Sequence, residues 1–158
     1  KFDQYKPNNQ VNTTLAHQLA LYVVIYSPVQ MAADLVEHYE ANPAPLEFIK
    51  DVGVDWSETK VLNGEIGDFV TIARKERKSG NWFVGGITDE NNREIEIDFS
   101  FLDANTTFEA KIYKDGESAH FNDNPLAIKI EKISITNKTK LKINLAKGGG
   151  FAISIKKN

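Results

Sequence analysis

The sequence has no cysteine, which removes disulfides, thiolate metal sites and a cysteine nucleophile while leaving the compartment open. It has no long hydrophobic run either. The longest, Leu19–Tyr26, is well short of the roughly 20 residues a helix needs to cross a bilayer, so no membrane partner is expected. Positive charge is not in excess: 19 Lys and Arg stand against 22 Asp and Glu, and a net charge of −3 gives no electrostatic footprint for nucleic acid. Histidine is scarce. His17, His38 and His120 are scattered with no HExxH or paired spacing, so each is expected to be a surface or cap residue rather than a metal ligand. There is no G-x-S-x-G elbow, and Gly148-Gly149-Gly150 precedes a strand pattern rather than a helix, which fits a bulge or tight turn and not a phosphate cradle.

What is present falls into two parts with different periodicity. Lys1–Gln10 is polar, holds Pro7 and reads as an irregular lead-in. Asn12 or Thr13 then offers a side-chain oxygen as N-cap. Leu15, Ala16, Leu19, Ala20, Val23 and Val24 recur at three- and four-residue steps, which predicts a helix ending at Ser27-Pro28. Its second half is apolar nearly all round, as a helix packed on several sides requires. Val29–Leu35 reads as a buried strand reaching Asp34. Glu37–Pro45 reads as a polar loop, and Leu46, Phe48, Ile49 and Val52 as a short amphipathic helix closed by Gly53. Helix, strand, helix is α/β grammar, but too little of it to make a sheet.

Beyond Val54 the period becomes two. Strands are expected at Thr59–Leu62, Phe69–Arg74, Trp82–Thr88, Glu94–Phe101, Phe108–Tyr113, Ala127–Ile135, Leu141–Leu145 and Phe151–Ile155. Connectors rich in Asn, Asp and Gly separate them, among them Asn63-Gly64, Asp115-Gly116 and Asn137–Thr139. Phe69–Thr88 is the central hairpin, with Ser79-Gly80-Asn81 as its turn, one apolar face, and the charged run Arg74–Lys78 solubilising its end. Short half-buried strands at this spacing predict an antiparallel β-sandwich, so the fold class is mainly β, preceded by an α/β segment.

Chemistry is thin in these residues. Glycoside hydrolysis needs two carboxylates about 5 to 10 Å apart. The pairs Glu37/Glu40, Asp55/Glu58 and Glu94/Glu96 all read as solvated positions. The oxygen-rich loop Asp115–Asn124 lacks the D-x-[DN]-x-[DN]-G order that wraps calcium and reads as a surface turn. Trp56, Trp82, Phe83 and Tyr113 are expected in the core, with sugar stacking through Trp82 or Tyr113 as the alternative. Sequons at Asn12, Asn105 and Asn137 bear only on a secreted eukaryotic protein.

Taken in order, NTTLAHQLALYVVIYSPVQMAADLVEHYE, FIKDV, DWSETKVLNGEIGDFVTIARK, WFVGGITDE, IYKDG and GGGFAISI resemble the C-terminal end of glycoside hydrolase family 97, the α-glucosidase and α-galactosidase-like enzymes. The likeness runs from about Asn12 to Ile155. It implies an N-terminal supersandwich and a catalytic (β/α)₈ barrel upstream, residues 1–54 as the end of that barrel, and 55–158 as the complete C-terminal sandwich. Thr13–Tyr26 would be a late barrel helix, Val29–Asp34 the last barrel strand and Leu46–Val52 the last barrel helix. The family's catalytic carboxylates and calcium-binding glutamates lie earlier and match no position here. The resemblance therefore implies a calcium-dependent, exported or periplasmic exo-α-glycosidase acting on α-linked oligosaccharide, of which this chain is an inactive accessory part with no cofactor of its own. Only Asp34 falls near the barrel's active-site face. A non-catalytic carbohydrate-binding module is the alternative. The helix over 14–26, without barrel neighbours, is expected to stay exposed or be covered by a second copy.

Overall fold

The computed structural model describes residues 11–32 and 34–157. The expected lead-in over Lys1–Gln10 thus lies outside the described residues. Three helices come first: α1 (Leu15–Val24), α2 (Val36–Glu40) and α3 (Pro43–Asp51). Eight strands follow: β1 (Trp56–Glu65), β2 (Phe69–Glu76), β3 (Trp82–Thr88), β4 (Arg93–Asp98), β5 (Phe108–Asp115), β6 (Ile128–Ile135), β7 (Lys140–Leu145) and β8 (Gly150–Lys157). Every pairing is antiparallel. The sandwich is lopsided, with a six-stranded sheet in the order β1-β2-β3-β8-β5-β6 facing a two-stranded sheet of β4 and β7.

The expected central hairpin forms, with Phe69 opposite Thr88 and Lys75 opposite Trp82. Gly80 turns it with φ 73°, a conformation that costs other residues a Cβ clash. It has two apolar faces rather than one. Trp82 and Val84 point into the core between the sheets, with Ile95, Ile97, Phe108, Ile112, Ile143, Phe151, Ile153 and Ile155. Phe83 points the other way, into a second core with Leu19, Val23, Phe48, Trp56, Tyr113 and Ala152. The large sheet is covered on both sides because α1 and α3 close its outer face.

How α1 gets so close is written in small side chains. A Cβ at Gly85 would lie 2.7 Å from the Ala20 carbonyl oxygen, and one at Gly150 would lie 2.8 Å from the His17 Cα. Glycine at these two positions lets the helix backbone rest on β3 and β8. The helix expected to remain exposed thus buries Ala16, Leu19, Ala20 and Val23 against the sandwich's own sheet. Its N-cap is Thr14, whose hydroxyl accepts from the His17 amide, and not Asn12 or Thr13. α3 is pinned by Phe48, which meets Tyr113 edge-on at 5.2 Å and Phe83 at 6.3 Å.

The strand expected over Val29–Leu35 does not form. A strand exists through its neighbour's ladder, and among the described residues none of the eight strands pairs with this segment. Val29, Met31 and Leu35 are 70%, 80% and 57% exposed. The polar stretch expected as a loop over Glu37–Pro45 instead holds the short helix α2 and the start of α3, where Pro43 takes a first-turn position that needs no N–H donor. Asn63-Gly64, expected as a connector, lies inside β1 opposite Thr71 and Val70, and the turn comes three residues later.

Candidate functional site

The most constrained part of the molecule is the seat of α1. Thr14 Oγ1 donates to Asp115 Oδ1 at 2.6 Å, while Asp115 Oδ2 accepts the amides of Ala146 and Gly150, each at 2.9 Å. His17 Nδ1 lies 3.0 Å from the Gly149 carbonyl, so that nitrogen carries the proton. The backbone closes the same knot: Thr14 N donates to Gly148 O and Leu15 N to Pro125 O. The glycine triplet supplies amides and carbonyls on a loop tight enough to wrap a helix start, which fits its expected structural role. Burial pushes the Asp115 carboxyl up from its ordinary value, with its hydrogen bonds opposing. Burial pulls His17 down, opposed by the Gly149 carbonyl. With three hydrogen bonds the Asp115 carboxylate ties the start of α1 and the loop before β8 to the end of β5.

At its other end α1 is held by Arg74. Its Nε donates to Val23 O at 2.6 Å, Nη2 to Val24 O at 3.3 Å and Nη1 to Thr59 Oγ1 at 2.8 Å, with the guanidinium 5.6 Å from the Tyr26 ring centre. A cation on the last carbonyls of a helix satisfies orphan acceptors and the negative end of its dipole. Arg74 is 7% exposed, which corrects the reading of Arg74–Lys78 as a purely solubilising run.

Trp82 and Tyr113 are 4% and 1% exposed and lie in the two separate cores, on opposite faces of the large sheet. Neither presents a ring face, so the sugar-stacking alternative has no platform; Trp56 and Phe83 are buried likewise. Asp34 accepts from the Leu35 amide at 2.8 Å and faces His38 Nδ1 at 2.6 Å, and that imidazole contact holds its carboxyl below the ordinary range. It stands at the start of α2 in an exposed segment. Two of the suggestive acid pairs lie in solvated ion pairs, Asp55 with Arg77, Glu58 with Lys60, Glu94 with Lys142 and Glu96 with Lys140, and Glu37 and Glu40 are exposed on α2. His120 stacks on Phe121 and accepts the Asn122 amide, a loop-cap role; His17, of the two roles expected for it, is not a surface residue but sits buried in the capped first turn of α1. Among the described residues no three His, Asp or Glu side chains gather as a metal site would require.

Sequence reasoning missed Thr14, His17, Asp115 and Arg74. Asp115 ends an alternating apolar strand, and an acid there, followed much later by three glycines whose amides can converge, is the signal that was available.

Apolar surfaces remain among the described residues, and two stand out. One is the segment after α1, where Ile25, Tyr26, Val29, Met31, Leu35 and Val36 are all more than half exposed. The other is a groove of about 590 Å³ on the outer face of the large sheet, beside the β1–β2 turn and lined by Val61, Ile66, Phe69, Val70 and Ile87 among others. A family model described as glycosyl-hydrolase 97 C-terminal, oligomerisation, matches residues 55–156, which take in all eight strands.

The chain belongs to the glycosyl-hydrolase 97 C-terminal family.

As a member of that family it is 43% identical over 143 residues to the retaining alpha-galactosidase of Bacteroides thetaiotaomicron, a match covering 90% of this chain and 21% of that protein. It is 30% identical over 82 residues to a probable retaining alpha-galactosidase of Streptomyces bingchenggensis, covering 52% of this chain and 13% of that one. A Glycoside Hydrolase Family 97 enzyme from Pseudoalteromonas sp. strain K8, solved in complex with acarbose, superposes with a TM-score of 0.93 at 50% identity, over 95% of this chain and 23% of that chain. A beta-arabinopyranosidase shares the fold, with a TM-score of 0.72 at 22% identity. The chain spans about a fifth of the length of the Bacteroides and Pseudoalteromonas relatives.

Proposed function

We propose that this glycosyl-hydrolase 97 C-terminal domain serves, without chemistry of its own, as the accessory part of a larger exo-acting α-glycosidase of the retaining α-galactosidase or α-glucosidase kind. The observation that carries this is the combination of a family match over residues 55–156 with the engagement of Asp115, the one buried acid among the described residues, in three hydrogen bonds. The apolar segment 25–36 lies outside the family match, immediately after α1, and six of its side chains are left in water. In a longer polypeptide these are positions for packing against the catalytic part, with Asp34 on the rim of that contact. On the same proposal the larger enzyme is exported and calcium-dependent. Calcium takes six to eight oxygen ligands, and on this proposal they are supplied by the rest of the enzyme.

The test is expression of the complete open reading frame that carries this chain. Release of nitrophenol from nitrophenyl α-galactoside or α-glucoside, lowered by chelation and restored by calcium, is the expected result. A full-length product that turns over neither substrate, yet binds oligosaccharide through the sandwich, would replace the proposal with the carbohydrate-binding alternative.

A further inference from the structure

Two strands cannot cover the inner face of six, and one end of the large sheet shows what that leaves. Along the β5–β6 pair the inward-facing partners run Phe108 with Ile135, Ala110 with Ile133, Ile112 with Glu131 and Lys114 with Lys129. The apolar members belong to the core between the sheets, so the same face turns from apolar to charged at its far end. Between that charged end and the last residues of β7 lies a cleft of about 600 Å³, lined from both walls. Its size falls within the roughly 300–1,000 Å³ of small-molecule sites. Lys114 Nζ is 2.5 Å from Glu131 Oε1 and Lys129 Nζ is 3.9 Å from Oε2 of the same side chain, so two ammonium groups share one carboxylate. Lys147, also on the cleft, makes no side-chain ion pair or hydrogen bond with the described residues. Lys142 is matched by Glu94 at 2.7 Å. Asp115 turns its oxygens to Thr14, Ala146 and Gly150, which leaves Glu117 as the opposing acid on the rim. The wider sequence has the same bias: residues 111–157 hold ten lysines against four acids, while residues 1–110 hold nine basic residues against eighteen acids.

We propose that this cleft binds a sugar bearing a single anionic group, a carboxylate or a sulfate, with the anion drawn to Lys129 and Lys147 and the ring hydroxyls hydrogen-bonded by Asn92 and Asn144. Both asparagines line the cleft, both are exposed, and neither side-chain amide has a partner among the described residues. An amide presents a donor and an acceptor side by side, which is what adjacent hydroxyl groups engage. Lysines in a concave site concentrate positive potential and select an anion over a neutral molecule of the same shape. A bare inorganic anion would engage the lysines and leave the amides and most of the volume to water. A neutral sugar would engage the amides and leave the positive surplus unmatched. One ligand that carries both kinds of group uses both sets of side chains. The site needs no aromatic platform, so the burial of Trp82 and Tyr113 does not bear on it.

Titration of the isotope-labelled chain, followed by amide NMR, reads binding without any turnover. The probes are galacturonate and galactose 6-sulfate, with galactose and inorganic sulfate as the two half-ligands. Saturable shifts at Asn92, Lys114 to Gly116 and Asn144 to Lys147 are expected with at least one of the anionic sugars, and the tighter of the two names the anion. Galactose and sulfate should each bind about tenfold more weakly, the size of one lost charge-assisted hydrogen bond. Added salt should weaken the anionic sugar and leave galactose unchanged. Lys147→Ala should reduce binding about tenfold, and Asn144→Ala should reduce it with the salt dependence kept. Both replaced side chains are exposed and unpartnered among the described residues, so the thermal midpoint should stay put. Absence of saturable shifts with either anionic sugar would overturn the proposal. So would shifts that map elsewhere, binding indifferent to Lys147→Ala, or galactose or sulfate binding as tightly as the combined ligand. These outcomes concern binding by this chain alone, so the hydrolysis test of the accessory role stands or fails separately.

Discussion

Thr14 Oγ1 and Asp115 Oδ1 meet at 2.6 Å across 101 positions of sequence, and this bond joins the first turn of α1 to the end of β5. It makes the helix a third layer of the sandwich rather than a separate appendage. The same carboxylate holds the loop before β8 through two amides.

Asp115→Ala removes the acceptor for three donors in a buried setting. Leaving the Ala146 and Gly150 amides without partners should cost about 2–6 kcal/mol of unfolding free energy, since each orphaned buried donor costs roughly 1–3 kcal/mol. Asp115→Asn keeps one acceptor and turns an amide donor toward another, so its cost should fall below that of alanine. Urea unfolding followed by tryptophan fluorescence measures both.

At the opposite end of α1, Arg74→Met keeps most of the buried stem and deletes the hydrogen bonds to Val23 O and Val24 O. Charge-assisted bonds of this kind contribute about 1.5–3 kcal/mol. The expected signature is local: amide exchange in the last turn of α1 accelerates more than exchange in β4 or β7. Uniform acceleration across all elements would show that Arg74 does not act on the helix.

Gly85→Ala puts a methyl group 2.7 Å from the Ala20 carbonyl and 2.9 Å from the Val23 Cβ. Both contacts belong to the body of α1, so the helix must move away from β3. A loss of about 1–3 kcal/mol is expected, as for overpacked cores, together with faster amide exchange in α1. Gly80→Ala is a useful contrast, because nothing lies within 4 Å of its added Cβ and only the positive φ opposes it.

His17 makes stability pH-dependent. Burial lowers its folded value beneath the ordinary 6.5, so the unfolded chain binds protons more readily in the window just under 6.5. Stability is therefore full above that window and declines as pH falls through it. Asp115, raised above 3.8, has the opposite sign: its folded form binds protons more tightly, and stability recovers as pH drops toward that value. Unfolding free energies measured from about pH 7 to about pH 5.5 should slope downward in the native chain, and the slope should flatten in His17→Gln.

The sandwich was legible because half-buried strands print an alternation that needs no knowledge of partners. Ile95 and Ile97 in β4 and Phe151, Ile153 and Ile155 in β8 follow it, whereas Trp82–Thr88 is buried on both faces and shows no such alternation. What the sequence concealed depends on contacts far along the chain. Arg74 looks like one cation among several until Val23, 51 residues earlier, is placed beside it. Asp115 looks like a turn residue until Thr14 is. The apolar run at 29–35 reads as a strand because short apolar runs carry no period that separates a buried strand from a surface awaiting cover. Gly85 and Gly150 show why α1 was expected to be bare: the surface that receives it is marked by missing side chains, which no hydrophobicity pattern records.

The central proposal is that this folded body presents surfaces to the rest of a larger enzyme and performs no hydrolysis itself. Its most direct test is nitrophenol release by the purified 158-residue chain, incubated at high concentration with nitrophenyl α-galactoside and nitrophenyl α-glucoside. The account predicts rates indistinguishable from buffer while circular dichroism reports an intact β-fold. Turnover that disappears when a single acid of this chain is replaced by its amide would contradict it.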